Sequence, residues 1–231
     1  MGPARIMAVR HGESEANLAH REAGPAPLVY ERGDDEVTLT ALGRAQAAAF
    51  GRSLAGLPAA EAPEVVWCSP YLRALDTWRT ALRAWGAGPL PLTVDRRLRD
   101  QEAGAFARYN LAAIRERFPE EMARREAEGA YAFRPPGGES LADVVVRLRD
   151  LLADLREHAA GRRVLIVAHD SVVLGLRHVL AGGPETDRDA DLAAVLKFAP
   201  VLNASVSVWD GSGLVRFNDV GHLRPASDQP V

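Results

Sequence analysis

The sequence predicts an α/β fold, a three-layer α/β/α sandwich with a mostly parallel central sheet. Short apolar runs at residues 5–9, 65–68, 92–94, 164–168 and 205–209 lie between helical stretches, as expected of parallel strands covered on both faces. One helix stands out, because Leu141, Val144, Val145, Leu148, Leu151, Leu152 and Leu155 recur at three- and four-residue steps and stop before Gly161. The chain has 231 residues, 47% of them hydrophobic, which suits one globular domain or one domain with an insertion. We read residues 1–231 as a single domain.

In chain order, the first run leads into "VRHGES", which sets Arg10, His11 and Gly12 at the exit of a buried segment. Residues 19–37, with their prolines and acidic turn, fit the alternation poorly and read as an excursion over the strand ends. The second run leads into "CSPYLRA", where Ser69 is the expected N-cap, Pro70 the first helical residue, and Arg73 one turn in. Helical side chains lean toward the N-terminus, so Arg73 should reach back to the strand ends. After the third run and "LRDQEAG", residues 103–138 form a second excursion. Its acidic and basic alternation over 115–128 reads as a solvated helical face with i,i+4 pairs. "PPGGES" is a tight turn, with Ser140 as N-cap, Asp143 completing a capping box, and Glu139 or a nearby backbone amide as a candidate border of the substrate. The fourth run leads into "VAHDS", with His169 at its exit and Asp170 as the expected N-cap of "VVLGLRHVL". In that position the Asp170 carboxylate should turn into its own helix end, away from substrate, and favour protonated His169. No repeat or low-complexity linker interrupts the chain.

A formal net charge of -3 gives no global attraction to nucleic acid or an anionic membrane, so anion binding must be a pocket property. Lys197 is the only lysine, which we ascribe to genomic composition. Cys68 stands alone, excluding an intramolecular disulfide or a cysteine zinc site and pointing to a reducing cytoplasm. No apolar stretch approaches the roughly 20 residues of a membrane helix, and Arg10 and His11 come too early for a signal-peptide core. The expected protein is cytoplasmic, with no membrane or nucleic-acid partner; a homodimer stays open.

In an open parallel sheet, ligands bind beyond the carboxyl ends of the strands, so Arg10, His11, Arg73 and His169 are expected to converge. Two guanidinium forks suit phosphate oxygens and the spread charge of phosphoryl transfer. An imidazole with an ordinary pKa of about 6.5 is a ready nucleophile near neutrality. A protonated second one can donate to a phosphoryl oxygen. The arginines supply the charge that Mg²⁺ supplies elsewhere, so neither metal nor cofactor is expected.

"VRHGESEAN", "LTALGRAQA", "CSPYLRALDT", "LRDQEAG", "PGGES" and "VAHDS" together resemble the ordered motifs of the histidine phosphatase superfamily, in its phosphoglycerate mutase-like branch. The resemblance spans residues 5–223. It implies the same three-layer fold, His11 as the nucleophile that becomes phosphohistidine, Arg10, Arg73 and His169 as holders of the phosphoryl group, and Asn17 as a further phosphate ligand. The acid in this branch is usually Glu in "LRExxxG"; here the matching residue is Asp100, one methylene shorter, with Glu102 as the alternative. His20 is a second-rank pocket candidate without a motif. His158 should complement a helix end, His178 should pack a helix, and His222 should hold the C-terminal segment.

Three functions compete: a metal-independent phosphomonoester hydrolase acting on a small phosphorylated metabolite, a phosphoglycerate mutase-type phosphotransferase, and a catalytically silent phospholigand-binding protein. A silent module has no need of His11 or an acid. A mutase must hold a bisphosphate and therefore needs a second cationic subsite. "AGAFARYNLAAI" offers only Arg108 where mutases of the family carry arginine and lysine. Hydrolysis is favoured. Substrate choice should lie in the two excursions.

Overall fold

The structure is a computed structural model describing residues 2–181 and 200–224; Lys197 lies outside the described residues. The strands are β1 (Arg5–Arg10), β2 (Val65–Cys68), β3 (Leu92–Val94), β4 (Arg163–Ala168), β5 (Val206–Asp210) and β6 (Gly213–Asp219). They form one sheet in the order β3-β2-β4-β1-β5-β6. The first four run parallel, whereas β5 is antiparallel to β1 and β6 to β5.

The period-2 alternation of strands sorts the core into two layers. Ile6, Ala8, Val164 and Ile166 face α6 (Leu141–His158) and α7 (Asp170–Leu180), where Val144, Leu148, Leu151 and Leu155 are buried against them. Met7, Val9, Leu165 and Val167 face α2 (Ala41–Ala55) and α3 (Leu72–Trp85), meeting Phe50, Leu54, Trp78 and Ala81. Ser140 caps α6 as expected: its hydroxyl accepts the Asp143 N–H, while the Asp143 carboxylate accepts the Ser140 N–H at 2.8 Å. His158 is the last residue of that helix, His178 is buried against Tyr131, and His222 rests edge-on to Phe50.

Three expectations need correction. The run at 205–209 is an antiparallel strand, and β6 follows it through a tight turn in which Asp210 Oδ1 accepts from Ser212 N and Oγ. The "WDGSG" stretch carried that hairpin signal, but the exposed, irregular apolar pattern of β6 hid the strand. Second, α3 begins at Leu72 with Tyr71 at its cap, so Ser69 stands two residues ahead of the N-cap position; its hydroxyl oxygen still accepts the Tyr71 N–H at 3.3 Å and also meets a histidine, as described below. Third, His169 and not Asp170 occupies the cap of α7. The 103–138 excursion holds two short helices, α4 (Leu111–Arg117) and α5 (Pro119–Glu128), and Arg124 bridges Glu121 and Glu128 along α5.

Two glycines of the motifs exist for close approach. A Cβ on Gly12 would stand 2.3 Å from the Gly43 carbonyl oxygen, and one on Gly43 would stand 2.0 Å from that of Glu13. This contact lets α2 press on the exit of β1. Thr40 completes the junction by capping α2 and donating to Glu13 Oε1 at 2.8 Å, and Gln46 accepts the Glu13 N–H.

Candidate active site

Register alone brings the two histidines together. Arg10 pairs with Ala168 in the β1–β4 ladder, so His11 and His169 leave the sheet side by side. Their ring centroids are 5.3 Å apart, and both side chains are buried. Since Cys68 pairs with Val167, Ser69 emerges next to them, and its hydroxyl meets His169 Nε2 at 2.8 Å.

Hydrogen bonds assign the proton of His11. Nδ1–H donates to the Gly12 carbonyl at 2.7 Å, and Nε2 accepts from Arg73 Nε at 3.2 Å. The imidazole is therefore neutral with its lone pair on Nε2. Burial lowers the His11 pKa well below its usual value, and Arg73, His169 and Arg10 lower it further.

Arg73, from the first turn of α3 and 3% exposed, is the hub. Besides holding His11, its fork meets Asp100 Oδ2 at 3.0 Å and Asp34 Oδ1 at 3.0 Å, and it donates to the Asp34 carbonyl. Arg10 donates to the Val201 carbonyl, while its Nε is buried with no hydrogen-bond partner among the described residues.

Asp100 accepts from the Ser171 hydroxyl at 2.6 Å and from Gln101 N at 2.9 Å, and its Oδ2 lies 3.5 Å from His169 Nδ1. Burial pushes the Asp100 carboxyl up, but His169, Arg73 and the Ser171 hydroxyl outweigh it and hold the group well below the usual carboxylate range. His169 Nδ1 is itself buried without a hydrogen bond among the described residues. Burial pulls the His169 pKa down to about 3 against the opposing pull of Asp100, and Arg73 and Arg10 add to the depression. The expectation that Asp170 keeps His169 protonated therefore fails: desolvation beside two guanidiniums keeps the ring neutral. Asp170 does draw on the backbone N–H groups at the start of α7, and burial raises its pKa against the pull of Arg10. Its residue borders the cavity.

The remaining candidates fall into place less centrally. Asn17 Oδ1 serves the capping box of α1 (Glu15–Ala23) and accepts from Asn203 Nδ2 at 3.0 Å, and its Nδ2 makes no hydrogen bond among the described residues. His20 borders the cavity, and burial lowers its pKa. Glu102 borders it too, but its carboxylate turns to Arg99 at 2.7 Å. Arg99 and Arg147 clamp Glu139, while nearby Gly137 borders the cavity, and Arg147 also donates to the Asp100 carbonyl at 3.2 Å, which fixes the loop carrying Asp100. Sequence reasoning missed Ser69, Ser171 and Asp34. No spacing rule points to Asp34, since the chain folds it onto Arg73 from a separate excursion. Among the described residues no group of three or more His, Cys, Asp or Glu is arranged to hold a metal, and no helix is long and apolar enough to cross a membrane.

The model of the histidine phosphatase superfamily (branch 1) matches residues 6–207. The chain belongs to that superfamily. It is 31% identical over 223 residues to a 2,3-bisphosphoglycerate-dependent phosphoglycerate mutase of Methylobacterium radiotolerans, covering 94% of this chain and 98% of the relative. It is 35% identical over 175 residues to phosphoglycerate mutase 2 of Gloeobacter violaceus, covering 74% and 72%. Among solved structures, a mycobacterial glucosyl-3-phosphoglycerate phosphatase superposes with a TM-score of 0.71 at 26% identity, over 93% of this chain and 98% of that one. A putative alpha-ribazole-5'-P phosphatase of Escherichia coli, at 22% identity and a TM-score of 0.73 over 94% and 97%, shares the fold. Membership of the superfamily makes phosphoryl transfer the chemistry of this site, by phosphatase or mutase.

Two outcomes follow from the charges of this superfamily site. Both histidines have folded-state pKa values below their unfolded ones, so acid drives protons onto the unfolded chain. Stability should be intact above about pH 6.5 and fall as pH drops, by about 2 kcal/mol for His169 between pH 6.5 and 4.5, with His11 adding a fall of the same sign. Urea unfolding at the two pH values checks this: the fall in His169→Gln should be smaller by about 2 kcal/mol, and an unchanged pH dependence contradicts it. The second concerns Asp34, whose half-exposed carboxylate occupies Arg73 where an anion would bind. Asp34→Asn should tighten competitive inhibition by inorganic phosphate about 5-fold, the scale of one partly exposed ion pair. Unchanged or weaker inhibition speaks against that role.

Proposed function

We propose that the protein is a phosphomonoester hydrolase working through a phosphohistidine on His11, without a metal. The single observation that carries the chemistry is the His11 lone pair on Nε2, fixed by the Gly12 carbonyl and by Arg73. A substrate dianion draws the Arg73 fork from Nε2, Asp34 and Asp100 to its own oxygens, with Arg10, Asn17 Nδ2 and His169 Nδ1 as further donors. Nε2 then forms the N–P bond as the P–O bond to the alcohol breaks, while Nδ1–H stays on the Gly12 carbonyl. The departing oxygen takes the proton of Asp100, whose carboxyl regains one when the dianion cancels the field of Arg73. Water then attacks phosphorus and returns a proton to Asp100, and P–N cleavage restores the lone pair.

Hydrolysis is preferred to mutase chemistry because the cavity lacks a second clamp. Of its three arginines, Arg32 is paired with Glu15 and Arg108 holds the Tyr30 carbonyl, and among the described residues no lysine is present. Incubation with a panel of phosphomonoesters in EDTA should release inorganic phosphate. If 3-phosphoglycerate instead interconverts with its 2-isomer, dependent on the bisphosphate, the chain is a mutase; activity lost to chelator and restored by Mg²⁺ refutes metal independence.

A further inference from the structure

Beside the histidines lies a cavity of about 810 Å³, lined on that side by Asp34, Tyr71 and Asp100, all of which touch Arg73; it is far larger than a phosphate needs and within the range that holds a drug-sized ligand. Its far wall is apolar. Phe106 and Phe133 stack at 6.0 Å, with Phe118 packed against Phe106 at 5.2 Å, and Ile114, Met122 and Leu174 extend the same surface. The second excursion supplies all of these except Leu174, which comes from α7. The aromatic cluster is packed on itself, so the wall is already formed and needs little ordering to receive a ligand.

The charges of the lining point the same way. Asp34, Asp100, Glu102 and Asp170 border the cavity against Arg32, Arg108 and Arg125, and two of those three guanidiniums are bonded within the chain. Neither Arg108 nor Arg125 has an ion-pair partner among the described residues, but Arg108 is tied by its Nε to the Tyr30 carbonyl, so Arg125 is the one guanidinium of the lining not already held, and one such group does not form a clamp for a second phosphate. The carboxylates are committed as well, Asp34 and Asp100 to Arg73 and Glu102 to Arg99, so a ligand with anionic groups beyond the reacting one would find a single guanidinium not already held and the Asp170 carboxyl beside it in the lining.

From this we infer the substrate class: a phosphomonoester of an alcohol with a bulky apolar or aromatic body, carrying one phosphoryl group at the histidines and its body against Phe106, Ile114, Met122 and Phe133. The assignment rests on the hydrolase reading of the same site. It goes beyond that reading by excluding small polyols and sugar bisphosphates as preferred substrates.

The test compares 2-phenylethyl phosphate with glycerol 1-phosphate and fructose 1,6-bisphosphate. The first two are unactivated primary esters, so leaving-group chemistry does not decide between them. Phosphate release should show kcat/KM at least about 10-fold higher for the phenylethyl ester, the lower end of what a filled apolar pocket discriminates. In Ile114→Ser and Phe106→Ala the ratio of the two specificity constants should fall toward one. Ile114 is only partly buried, which keeps one variant folded should Phe106→Ala collapse. Calorimetric binding of the same esters to His11→Ala gives a readout that needs no turnover. Equal or better kcat/KM for glycerol 1-phosphate or the bisphosphate overturns the substrate class and leaves the hydrolase intact. If no ester releases phosphate but the phenylethyl ester binds at least about 10-fold more tightly, the pocket assignment stands and hydrolysis falls. With neither release nor preferential binding, both fall.

Discussion

His11→Ala is expected to lower kcat by about 10⁴-fold or more, while leaving the protein folded and able to bind phosphate. The size follows from what is lost. Without Nε2 no covalent intermediate can form, and only positioning by Arg10, Arg73 and His169 remains to accelerate attack by water. The effect on stability should be small and favourable on acidification, because the substitution removes a buried imidazole whose charged form is disfavoured. Steady-state kinetics with phosphate detection, alongside urea unfolding, separates the two. A loss of less than about 10-fold would mean that another group attacks phosphorus.

The second large effect belongs to Asp100→Asn, with an expected fall in turnover of about 10²- to 10⁴-fold on alkyl phosphates. Aryl phosphates with good leaving groups should be affected far less, since their oxygen departs without a proton. The Asp100 carboxyl is held deprotonated by its cations, so its service as an acid depends on the substrate dianion. Turnover of alkyl esters should accordingly weaken toward high pH in the wild type, and that limb should vanish in Asp100→Asn. Glu102→Gln is the control, because that carboxylate is paired with Arg99 at the edge of the cavity. If Glu102→Gln shows the leaving-group dependence and Asp100→Asn does not, the proton comes from two residues further on.

The parts of this molecule that could be read from the sequence are those with local causes. The α6 periodicity, its capping box, and the runs that became β1 to β4 follow from spacing rules acting over a few residues, and the convergence of Arg10, His11, Arg73 and His169 follows from the carboxyl ends of parallel strands, with Arg10 closing β1, His11 and His169 just past β1 and β4, and Arg73 in the first turn of the helix after β2. The antiparallel pairing of β5 and the whole of β6 were missed because tertiary pairing, not an apolar pattern, makes an edge hairpin. The electrostatics were misread at one point: Asp170 looked like the cap that would charge His169, yet the backbone starts α7 one residue earlier and burial keeps the imidazole neutral. Ser69 was assigned to a helix cap, although the register of β2 against β4 delivers its hydroxyl to His169. Asp34 could not have been found, for its meeting with Arg73 depends on how the first excursion folds back. The motif glycines were legible as motif and opaque as cause until Gly12 and Gly43 were seen backbone to backbone.

The most direct measurement is rapid quench of the enzyme during turnover of a ³²P-labelled monoester in EDTA, followed by peptide mapping. The account predicts a base-stable, acid-labile phosphate on the peptide containing His11, formed faster than free phosphate appears and absent from His11→Ala. Steady turnover with no labelled protein, or label on a serine, an aspartate or His169, would contradict it.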